Sequence, residues 1–116
     1  MAVSRVPKTK LSPQWADIVD EIIQRIVATA HPQRILLFGS MARGQFNADS
    51  DLDMLVIVSG PVHRRKIEQQ IYANLHGITI PVDVVVATEE DINKFGDRIG
   101  SIYRPALREG KVVYEV

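Results

Sequence analysis

The chain of 116 residues contains no cysteine, which excludes disulfide staples and thiolate-bound metal centres and suits a reducing compartment. It has no surplus of either charge. Fourteen basic side chains balance 14 acidic ones, leaving a formal net charge of zero and no general electrostatic case for nucleic acid or an anionic membrane as partner. No apolar run approaches the roughly 20 residues a membrane-spanning helix needs. The opening MAVSRVPKTKLSP lacks the apolar stretch of a signal peptide. A cytoplasmic protein is expected, with no membrane contact and no direct nucleic-acid binding. Histidine is sparse: His31, His63 and His76 fall beside turns or on a helix and read as surface or capping residues, and no Ser-His-Asp arrangement is legible.

What is present is ordinary globular patterning. The length suits one small domain and leaves no room for a second, substrate-enclosing one. We expect a short solvated arm over residues 1–12 and a single domain over 13–116. Ser12 and Pro13 open a helix with Trp15, Ile18, Val19, Ile22, Ile26 and Val27 at helical spacing. RILLF and LDMLVIV read as two strands, separated by a loop rich in turn formers. Ser59, Gly60 and Pro61 are expected to open a helix through Ile67, Ile71 and Leu75 that Gly77 closes. VDVVVA is a third strand, with Pro81 at its start or on a sheet edge. Thr88 and Asp91 form a capping-box pattern, Gly96, Gly100 and Pro105 argue against one straight helix beyond it, and KVVYEV is a possible edge strand. Tyr72, Tyr103 and Tyr114 are expected to pack, and HRRK to be a solvated helical face.

The chemistry concentrates in LLFGSMARGQFNADSDLDMLVIV. Alternation along a strand puts Asp51 and Asp53 on one side with their α-carbons roughly 6.5 to 7 Å apart, and Leu52 and Met54 on the other. Two carboxylates that close repel unless protonated or bridged by a cation, and an oxygen-only ligand set favours magnesium over zinc. Asp83, in PVDVVVA, is a third acid that a neighbouring strand can bring alongside. Three acids on adjacent strands can hold two divalent ions about 4 Å apart, an arrangement suited to in-line displacement at phosphorus. Upstream, Gly39 permits a close backbone turn after the first strand, and Ser40 to Arg43 can form one helical turn whose free amides face an anion. Ser40 adds a hydroxyl donor, and Arg43 offers its fork either to a phosphate or to an acid such as Asp49. Ser50, beside Asp51, joins the nucleotide-binding candidates. Each piece alone has an ordinary reading as a turn or a solvated strand end. The compound order of Gly-Ser after a strand, Asp-x-Asp opening the next and an acid in a third points to a site.

FGSMARGQFNADSDLDMLV resembles the signature of the DNA polymerase beta-type nucleotidyltransferases, and in particular the minimal nucleotidyltransferase (MNT) branch. The likeness extends to the leading helix, to PVDVVV and to ALREGKVVYE. It implies an α/β (α+β) fold, a mixed β-sheet flanked by helices, and magnesium-dependent transfer of a nucleoside monophosphate with release of pyrophosphate, two ions being expected and manganese a possible substitute. By that likeness Gly39 and Ser40 bind nucleotide phosphates, Asp51 and Asp53 are paired metal ligands, and Asp83 is the third ligand and candidate base. Many minimal members are antitoxins of a HEPN-domain ribonuclease toxin, and some transfer AMP from ATP to a toxin tyrosine. That is the expected role here. Its rivals are a non-catalytic antitoxin that blocks a toxin sterically and an antibiotic-modifying enzyme completed by a helical subunit. Met54 stands where leucine is more usual, and QFNA lacks the family's frequent charged residues, so ATP is expected without being fixed by the loop.

Overall fold

A computed structural model of the chain describes residues 13–39, 51–96, 98, 101 and 103–116. The expected arm over residues 1–12 lies outside them. Among the described residues the elements follow in the order α1 (Pro13–Ala30), β1 (Arg34–Phe38), β2 (Leu52–Val58), α2 (Arg64–Ala73), β3 (Val82–Thr88), α3 (Glu89–Phe95), α4 (Tyr103–Glu109) and β4 (Lys111–Glu115). The sheet order is β3-β2-β1-β4. β1 lies antiparallel to both β2 and β4, whereas β2 and β3 run parallel. A parallel pair cannot be closed by a tight turn, so the chain crosses over, and α2 is that crossover. This is the mixed, helix-flanked sheet that the sequence led us to expect.

Each face of the sheet buries its own cluster. Val19, Ile22, Ile23 and Ile26 of α1 and Ile71 and Leu75 from α2 and the turn after it pack with Ile35, Leu37, Leu52, Met54, Val56, Val84 and Val86. On the other face, Leu36, Leu55, Ile57 and Ala87 pack with Ala106, supported by Ile92, Tyr103 and Leu107 of α3 and α4. Strand alternation explains the division: Leu52, Met54 and Val56 point one way, and Asp53, Leu55 and Ile57 the other. Burying Ile22 and Ile26 completely contributes about 1.5–3 kcal/mol each. Among the described residues no helix is long and apolar enough to cross a membrane.

Element boundaries differ from the sequence reading in two places. The second helix begins at Arg64, with His63 still extended at its N-cap, because half-buried Val62 must first be seated against the core. It ends at Ala73 with Asn74 as C-cap, and Gly77 serves the following turn, where its φ of +84° is one that glycine adopts without penalty. Arg25 of α1 fixes that turn by donating to the carbonyls of Asn74 and His76. Tyr114 packs as expected, but Tyr72 is 45% exposed.

β3 is an edge strand, and its outward amides are all occupied from Val84 onward. The Val84 N–H donates to Tyr72 Oη at 2.8 Å, the Val86 N–H to Glu68 Oε2 at 3.2 Å, and the Thr88 N–H to Asp91 Oδ2 at 3.0 Å. An edge strand otherwise offers a free ladder to other chains. The spacing is commensurate: residues four apart on a helix are about 6 Å apart along its axis, and residues two apart on a strand about 6.6 Å. Glu68 and Tyr72 therefore meet alternate amides of a strand running against α2.

The capping box at the start of α3 is complete, with the Asp91 N–H donating to Thr88 Oγ1 in return. Burial works against a charge on Asp91, but hydrogen bonds from the Thr88 backbone and from Arg64, whose Nη1 lies 2.7 Å away, outweigh it and hold this carboxyl below the usual range. A depressed folded pKa gives stability that is full above the unfolded value of about 4 and is lost as pH falls through the folded value. Asp91→Asn is expected to cost about 1 kcal/mol at neutral pH and to flatten this part of the acid limb. Urea unfolding at stepped pH measures both; a variant whose acid limb matches the wild type would contradict this account.

Candidate active site

The carboxylates meet at one end of the sheet. β2 and β3 pair so that Asp53 stands directly opposite Asp83, and β1 and β2 pair so that Phe38 stands opposite Asp53 on its other side. Paired residues share a face, so all three side chains lie on the α3/α4 face, beyond the apolar cluster that those helices cover. Asp51 immediately precedes β2 and is exposed, as is Asp83, whereas Asp53 is half-buried. The Asp-x-Asp pair thus straddles the beginning of β2, whose extent is the LDMLVIV of the sequence reading.

Asp53 feels the charge of both other acids. Burial first, then the negative charge of Asp83, then that of Asp51, pushes the Asp53 carboxyl above its ordinary range. Carboxylates that raise one another's energy in this way are oxygen-only donors of the kind that a hard divalent cation relieves. Among the described residues no three acidic or histidine side chains converge as a ready-made ligand set for one ion. Magnesium takes one or two carboxylates and completes its shell with water and substrate phosphates.

Gly39 closes the site from β1. Its φ is +78°, a conformation that costs other residues, and a Cβ placed there would collide with the Asp53 carboxylate. The backbone therefore runs directly against the acid, which is the close approach expected after the first strand. Ser40, Arg43 and Ser50 lie outside the described residues. The three histidines stay away from the carboxylates: His31 follows α1, His63 occupies the N-cap of α2 without a side-chain capping bond, and His76 Nδ1 lies 3.3 Å from the Ala73 carbonyl. Sequence reasoning missed Tyr72 and Glu68. Their signal was an acceptor pair four apart on the helix that delivers the chain to the acid-bearing third strand.

A half-buried acid thus stands opposite a second acid on a parallel neighbour, under a glycine turn, at one end of a small mixed sheet. Residues 18–111 match the model of the nucleotidyltransferase domain family, and the chain belongs to that family. It is similar to a protein of Methanocaldococcus jannaschii provisionally named protein adenylyltransferase MJ0604, with 34% identity over 83 residues covering 71% of this chain and 78% of that one. Its fold resembles the crystal structure of a provisionally assigned nucleotidyltransferase from Sulfolobus solfataricus, with a TM-score of 0.58 and 18% identity over 85% of this chain and 78% of that one. It also resembles a toxin–antitoxin structure with AMP-PNP, with a TM-score of 0.55 and 20% identity over 84% and 73% of the two chains. The chain is a nucleotidyltransferase, and the MNT branch named from its signature is consistent with all of these likenesses.

Proposed function

We propose that this nucleotidyltransferase transfers AMP from ATP to a tyrosine hydroxyl of a HEPN-domain toxin and acts as that toxin's antitoxin in the cytoplasm. The observation that carries the chemistry is the in-register pairing of Asp53 with Asp83 beneath the Gly39 turn. The relative named a protein adenylyltransferase supports the donor and a protein acceptor. The toxin–antitoxin fold neighbour supports the biological setting.

Asp51, Asp53 and Asp83 would hold magnesium, which when bound offsets their repulsion and the charge of the triphosphate. Asp53, on the rigid strand, sets the position of the α-phosphate relative to the acceptor. Asp83 takes the acceptor's proton as the hydroxyl oxygen forms its bond to the α-phosphorus and the bond to the pyrophosphate oxygen breaks. A phenol with an unperturbed pKa of about 10 needs less assistance from one carboxylate than an aliphatic alcohol does. Gly39 and Ser40 orient the phosphates, joined by Arg43 and Ser50. On this reading the toxin's surface completes the acceptor pocket.

The test is incubation of this protein, magnesium and labelled ATP with the candidate toxin, followed by mapping of the label by mass spectrometry. AMP on a toxin tyrosine, lost when chelator replaces magnesium, is the expected result. Full neutralisation without label would replace this reading with steric blockade, and label on a small molecule would replace it with small-molecule modification.

A further inference from the structure

We propose that Tyr72, supported by Glu68, is a positioning residue for Asp83. The inference rests on the reading of Asp83 as a ligand and base. Asp83 sits on an edge strand that is held by a neighbouring strand on one side only, β2. On the open side the next peptide group is pinned by a side chain: the Val84 N–H donates to Tyr72 Oη at 2.8 Å. Two residues on, Glu68 Oε2 takes the Val86 N–H at 3.2 Å. Both acceptors hold β3 through its backbone amides.

A hydroxyl tethered to a helix stays at the strand amide, where a water molecule would exchange. Tyr72 thereby fixes the peptide that follows Asp83, and a fixed peptide fixes where its carboxylate can reach. Without it the edge could shift by fractions of an ångström against β2, enough to spoil the separation of Asp53 and Asp83.

Tyr72→Phe keeps the ring and removes the acceptor. Three readouts on the intact protein decide the case: hydrogen exchange of the Val84 amide by NMR, manganese affinity by electron paramagnetic resonance, and the melting temperature. Exchange at Val84 is expected to quicken about fivefold, in line with roughly 1 kcal/mol for one hydrogen bond. Manganese affinity is expected to fall about tenfold, as for loss of a group that orients a metal ligand. The melting temperature should move only by the few degrees that one such bond is worth. Glu68→Ala is expected to weaken manganese binding in the same direction and carries the test if Tyr72→Phe fails to fold. Glu68→Gln keeps an oxygen acceptor and should restore binding to within about twofold. Faster exchange at Val84 with unchanged manganese affinity would reduce Tyr72 to an edge cap and overturn the inference, as would unchanged exchange. If the wild-type protein takes up no manganese, the reading of the carboxylates fails and the inference falls with it; wild-type binding that the variants leave intact sinks the inference alone.

Discussion

Asp53→Asn is expected to abolish transfer while leaving the fold as stable as before, or more so at neutral pH. The loss should reach about 100-fold or more, since even outer groups around a metal site cost up to that much when removed. Its companion effect on stability follows from the raised pKa. Burial, then Asp83 and Asp51, penalise the charged form of Asp53. For a carboxyl whose folded pKa lies above its unfolded one, the contribution to stability is full below the unfolded value and is lost as pH rises through the folded value. At neutral pH the wild-type chain carries this loss and the asparagine variant does not. The variant's advantage in melting temperature should therefore shrink on acidification toward about pH 3, where the unfolded carboxyl is itself largely protonated. Thermal melts at both pH values, run without divalent cations, separate the catalytic effect from the structural one. A variant that melts lower than the wild type at neutral pH, or one that keeps full activity, would contradict the account.

Gly39→Ala is the opposite case, in which stability and activity fall together. At φ +78° an alanine loses about 1–2 kcal/mol to the left-handed conformation alone. Its Cβ also meets the Asp53 carboxylate, with Cγ at 3.2 Å and the oxygen Oδ2 closer still. Either the turn opens or the carboxylate swings away, and both displace a proposed metal ligand. The expected result is a lower melting temperature, weaker manganese binding and loss of transfer. A double-mutant cycle isolates the collision, because residues in contact are not additive. Combined with Asp53→Ala, which deletes the carboxylate and leaves Asp53 Cβ at an ordinary 3.5 Å, Gly39→Ala should cost only the backbone part. Strict additivity in urea unfolding would mean that the two side chains do not press on each other.

How much of this was legible in the sequence depends on the range over which each feature is encoded. The strands RILLF and LDMLVIV, the capping box of Thr88 and Asp91 and the break near Gly96 are local, set by alternation, propensity and turn chemistry, and they appear where the residues put them. The division of Leu52 and Met54 from Asp53 follows from strand geometry alone. The start of α2 was misplaced because Pro61 is a good opening signal locally, whereas Val62 answers to a core assembled from distant segments. Pairing is not local at all. That Asp83 stands opposite Asp53, and not one residue to either side, is decided by the crossover and by matching Met54 with Val84 and Val56 with Val86 against the α1/α2 core. Tyr72 illustrates the same limit: its ring is ordinary in the sequence, and its hydroxyl acquires meaning only when β3 proves to be an edge.

The parallel pairing of β2 with β3 also bears on the order in which the chain becomes an enzyme. β1 and β2 are neighbours in sequence and pair antiparallel, so they can meet early. That half of the sheet already holds Asp53. Asp83 joins it only after α2 has carried the chain back across the sheet, and contacts between distant segments form slowly because the entropy of closing the intervening chain opposes them. The first two strands are also synthesised before the third. A chain caught at that stage has one side of the site and lacks the other, so the ability to bind and transfer waits for this long-range closure.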